Sequence, residues 1–177
     1  MLGRPMADET DSDIDADDGQ AEDTVESTGE GTAEEAPSLV IVTQYIKDLS
    51  FESPASPDIH LNPVAAPRVE IRVDVTAQGL GDRQYESSLQ IEVKAESEDR
   101  PIFIVELTYA CIASVGDVPP DHVQPLVLIE APRMIFPFAR AILSNVTRDG
   151  GFQPLMVNPI DFVELYRQRL AAHGVPN

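Results

Sequence analysis

The side chains able to do bond-making chemistry are few and poorly placed for it. His60, His122 and His173 lie far apart, and none has a carboxylate or thiol three or four residues away. Metal sites depend on such ligand spacing, so none is expected. Cys111, the single cysteine, sits near Tyr109 in an apolar run. That setting suits a buried structural thiol, because a nucleophilic one needs exposure and an electropositive neighbour. Gly79-Leu80-Gly81 lacks the third glycine and the following helix of a phosphate loop. Glu98-Asp99 falls in a polar turn. This set points to no enzyme and to no cofactor.

A carboxylate in an unexpected place is more informative. In FIVELTYACIA (103–113), Glu106 interrupts an otherwise apolar stretch. Read as a β-strand, the stretch puts Phe103, Val105, Leu107, Tyr109 and Cys111 on one face. Ile104, Glu106, Thr108, Ala110 and Ile112 then share the other, with Ile102 just before the stretch. The first face should lie against helices. The second should be near solvent, because burying an unpaired carboxylate is strongly unfavourable.

Three more stretches read as extended: SLVIVTQYIKDLSFESP (38–54), RVEIRVDVTAQ (68–78) and YESSLQIEVKA (85–95). The second alternates strictly, Val69, Ile71, Val73 and Val75 against Glu70, Arg72, Asp74 and Thr76, as a strand with one buried and one wet face does. Short polar connections imply an antiparallel meander. Beyond Gly116 the pattern turns helical. Pro119 and Pro120 suit a helix start, while Pro125 opposes its continuation. Ile135, Phe138, Ala139, Ile142 and Val146 form a helical stripe, with Pro137 kinking the first turn or marking the effective start. Gly150 and Gly151 should stop this helix. The last helix should be capped by Asn158, with Pro159 at its first position, Asp161 in its first turn and Phe162, Val163, Leu165, Tyr166 and Leu170 on its apolar side. Strands followed by helices give an α+β domain.

Charge divides the chain. Residues 1–37 hold 13 Asp/Glu against the single Arg4, and almost no large apolar side chains. Such a segment cannot offset its ordering entropy and reads as a disordered acidic tail, either solubilising or a lure for a basic partner. The domain should span 38–172, with 173–177 a flexible end. Its Lys and Arg are scattered singly, so a nucleic-acid partner is not expected. No apolar run reaches membrane-spanning length and no secretory signal is visible, which points to the cytoplasm and against membrane insertion. Many apolar residues, such as Ile59, Leu61, Phe152, Leu155 and Met156, fall in irregular segments. They either cap the core or line a groove able to hold extended chain. A sheet covered by helices on one side also favours oligomerisation.

YIKDLSFESP (45–54), FIVELTY (103–109), IFPFARAILSNVTRDGGFQPLMVNPIDF (135–162) and LYRQRL (165–170) closely resemble the bacterial protein-export chaperone family SecB. The resemblance covers roughly residues 38–171. It implies a four-stranded antiparallel sheet with helices packed on one face, assembled as a homotetramer, a dimer of dimers. It also implies ATP-independent holding of unfolded secretory precursors in apolar grooves and their delivery to the translocation motor SecA. Asp48, Glu52, Ile104 and Glu106 match the family's motor-docking surface. Phe51, Ile59, Phe152 and Leu155 are the expected groove lining, and Val105, Leu107 and Tyr109 the packing face. An adaptor of the same fold, holding one specific folded partner, is the alternative.

Overall fold

A computed structural model describes residues 38–64 and 67–172. The acidic segment 1–37 and the end 173–177 lie outside the described residues. Four strands, β1 (Leu39–Glu52), β2 (Arg68–Gly81), β3 (Gln84–Ser97) and β4 (Arg100–Val115), form one antiparallel sheet in the order β1-β4-β3-β2. The connections β2–β3 and β3–β4 are two-residue turns, with Asp82 and Arg83, then Glu98 and Asp99, all at positive φ. Paired left-handed residues match the natural twist of a hairpin. These three strands form the expected meander. β1 departs from it: the short helix α1 (Asp58–Leu61) lies between β1 and β2 in the chain, the two strands stand at opposite edges of the sheet, and β1 pairs with β4. Strand alternation carries no information about that pairing.

The alternation of β4 gives the sheet two unlike faces. Phe103, Val105, Leu107, Tyr109 and Cys111 are buried in one core with Leu89, Ile91 and Val93 of β3. Burial pushes the Cys111 thiol up to about 11, so it is an inert core group. Ala110 and Ile102, on the other face by alternation, are also buried.

Helices cover the inner face. Helix α2 (Pro120–Pro125) runs through a π-helical turn (Leu126–Glu130) straight into α3 (Ala131–Asp149). Pro125 therefore does not end the helix, and Pro137 neither starts it nor stands at its first turn. Pro137 lies on the exposed side, where losing one backbone bond is tolerated. The π turn rests on the sheet through Ser87, whose buried hydroxyl donates to the Val127 carbonyl at 2.7 Å. The buried stripe of α3 is Ile135, Phe136, Ala139, Leu143 and Thr147, a quarter turn from the expected one, and Phe138 is 50% exposed. The last helix, α4 (Phe162–Ala172), begins later than expected. Its cap is Asp161, whose Oδ1 accepts from the Glu164 amide at 3.0 Å, and Asn158 lies outside it. Phe162 anchors it against Phe136 with ring centroids 5.9 Å apart, whereas Leu170 is exposed. No helix of the described residues is long and apolar enough to cross a membrane.

Candidate functional site: an acidic sheet face and an aromatic corner

Register decides which polar side chains meet on the outer face. Glu52 is opposite Ile104, Ser50 opposite Glu106 and Asp48 opposite Thr108. Bulges after Ile41 and Ile46 interrupt the pairing upstream, but none separates Asp48 from Glu52, so both point outward with Glu106. All three carboxylates are exposed and Ile104 is half-buried between them. On the far side of β4, Glu106 stands directly opposite Glu92 of β3. Like charges in directly opposed positions repel. Arg72 of β2 relieves Glu92 in part, at 3.7 Å. Among the described residues no ion pair involves Asp48, Glu52 or Glu106, so these three carboxylates present their charge without a paired cation. Glu92 was not legible as a member of it. Alternation puts Glu92 on a wet face, but only the pairing of β3 with β4 sets it against Glu106.

Toward the β1–β4 end opposite Glu52, the same face is electrically closed. Glu86 accepts hydrogen bonds from Tyr45 at 2.5 Å and from Lys47 at 2.7 Å. The Lys47 ammonium and then the Tyr45 hydroxyl hold the Glu86 carboxyl below its ordinary range. The same hydrogen bond, made by the protonated phenol, raises Tyr45 to about 12.

The second region lies at the inner corner where β1 ends and α3 stops. Phe51 stacks on Phe103 at 6.1 Å, Phe103 meets Phe152 at 4.9 Å, and His60 of α1 lies over Phe152 at 5.1 Å. The close approach requires glycine. A Cβ on Gly150 would sit 2.3 Å from the Phe51 ring, and one on Gly151, at φ +85°, 2.9 Å from His60. Of the four expected groove residues, Phe51 and Phe152 therefore meet directly, at 6.3 Å. Leu155 follows three residues later on the same segment, half-buried against the core. Ile59 lines a separate small cleft with Ala55, Val64, Arg100 and Ile102. Sequence reasoning missed His60 as a member of this corner, because it looked at histidines for metal spacing rather than as flat rings.

An antiparallel sheet with one helix-covered face and one open acidic face defines a class. The backbone is similar to that of a solved SecB-like chaperone from Mycobacterium tuberculosis in complex with an antitoxin peptide, with a TM-score of 0.58 over 69% of this chain and 90% of that one. At 8% identity the two share the fold. The sequence narrows it further. This chain belongs to the SecB family: the model described as preprotein translocase subunit SecB matches residues 32–173. The protein-export protein SecB of Rhodospirillum rubrum is 49% identical over 79% of this chain and 86% of its own length. That of Afipia carboxidovorans is 47% identical over 84% of this chain and 91% of its own.

Proposed function

We propose that this protein is a non-enzymatic export chaperone, cytoplasmic and independent of ATP, that holds unfolded precursors and passes them to the SecA motor. Membership of the SecB family across the whole described body is the observation that carries the reading. The client surface is the aromatic corner and the segment after it. Phe51, Phe152 and Leu155, with Ile59 in its own small cleft, offer half-buried apolar area to an extended chain. Area of this kind contributes roughly 25 cal/mol per Å² buried, less the ordering of the bound chain. Apolar contact without shape demands suits many unfolded sequences and excludes folded ones, which hide such groups.

The motor-docking surface is the outer patch of Asp48, Glu52, Ile104 and Glu106, extended by Glu92. Carboxylates displayed on a flat sheet, three of them without an ion-pair partner among the described residues, steer a basic partner and set its register. Assembly uses apolar area that the helices leave bare. Ile46 and Leu49 on the inner face of β1, and Met134 and Phe138 on the open side of α3, are all exposed in the single chain. Exposed apolar surface on an edge strand and on a helix supplies two distinct contacts, as a dimer of dimers needs.

The test is a refolding assay. A slowly folding precursor, diluted from denaturant into the purified protein, should stay unfolded at one client per tetramer while its native form goes unbound. Selective binding of one native protein, with refolding unaffected, would overturn the chaperone reading.

A further inference from the structure

The segment between α3 and α4 carries Phe152 and Leu155 yet has neither helix nor strand of its own over residues 152–161. Both of those residues are tied back to one side chain's residue. The Phe152 amide donates to the Thr147 carbonyl at 3.1 Å, and the Leu155 amide donates to Thr147 Oγ1 at 2.9 Å. Between them, Gln153 is exposed and Pro154 has no amide hydrogen to give.

Thr147 is fully buried, on the same helix stripe as Ile135, Ala139 and Leu143. An aliphatic residue would fit that stripe better, because a buried hydroxyl needs partners. It has them on both sides. Its proton goes to the Leu143 carbonyl at 2.9 Å, with the Ser144 carbonyl at 3.1 Å, and a lone pair receives the Leu155 amide. The helix alone would satisfy the donor; only the segment uses the acceptor.

We infer that Thr147 is a positioning residue for client binding, its hydroxyl fixing the segment that presents Phe152 and Leu155. The inference rests on the groove reading above. Thr147→Val keeps the shape and removes the hook, and Thr147→Ser keeps the hook. Two readouts separate the ideas: hydrogen exchange at the Leu155 amide, and affinity for reduced, carboxymethylated α-lactalbumin as an unfolded probe. In Thr147→Val, Leu155 should exchange about tenfold faster, the loss of roughly one hydrogen bond, and probe affinity should fall about three- to tenfold. Thr147→Ser should restore both. Ile91→Val, on the buried face of β3, should lower stability without changing affinity, which a merely structural role for Thr147 would not predict. Should the valine variant fail to fold, Thr147→Ala carries the same measurements. Unchanged Leu155 exchange, or fast exchange with wild-type affinity, would overturn the inference. Failure of the wild-type protein to bind the probe would remove the groove reading itself, and this inference with it.

Discussion

The two faces of β4 are built from one strand and answer to different demands. Val105, Leu107 and Tyr109 are enclosed by helices, and any change there is felt through packing density. One residue away, Ile104, Glu106 and Thr108 line an open surface that contributes little to holding the fold. The inner face spends its side chains on stability. The outer face keeps a repulsive Glu92–Glu106 opposition that stability alone would not select. A period of two lets one strand serve both.

The sharpest way to break this contrast is to put a charge on the inner face. Leu107→Lys should cost about 4 kcal/mol or more, since the ammonium would be buried without a partner. Urea denaturation reads it, and a variant of normal stability would mean the faces have been assigned backwards. Next in size, Phe152→Ala should lower stability by about 2 kcal/mol through loss of its ring contacts, and should weaken unfolded-client binding in a titration while leaving SecA affinity intact.

Glu106→Lys probes the outer face in the opposite sense. Set against Glu92, a lysine turns a repulsive pair into an attractive one and should raise stability by up to about 1 kcal/mol. The same change should weaken SecA binding measured by calorimetry and spare client holding. Equal loss of both activities would remove Glu106 from the docking surface. The smallest effect belongs to Glu86. Its carboxyl is held below the ordinary 4.5, first by Lys47 and then by Tyr45. A lowered folded-state value stabilises above the unfolded value and loses that contribution as pH falls through the folded one. Glu86→Gln should therefore be less stable than the parent near neutrality, and the gap should close in acid. A gap constant with pH would show that the charge of Glu86 is not what matters.

Much of this was written along the chain. Strand alternation separated Glu106 from Val105 and Leu107, and KDLSFE put Asp48 and Glu52 on one side because both positions fall within a regular stretch. Helix phase was harder. The i, i+3, i+4 pattern of 135–146 fits more than one stripe, and Phe138 joins the apolar one in sequence although it is exposed, because an exposed apolar helix position looks, in sequence, like a core position. The cap of α4 is open in sequence for a different reason: Asn158 and Asp161 can both cap, and only the backbone path into Phe162 chooses between them.

The sequence by itself determined period and chemistry: which residues alternate, where turns fall, and that the chain is a SecB relative. Tertiary structure alone decided what meets across distance. It brought β1 to β4 instead of β2, set Glu92 against Glu106, and folded Phe51, His60, Phe103 and Phe152 into one corner over two glycines. Local propensity acts over a few residues, whereas register and close packing depend on contacts between segments tens of residues apart, which no local pattern encodes.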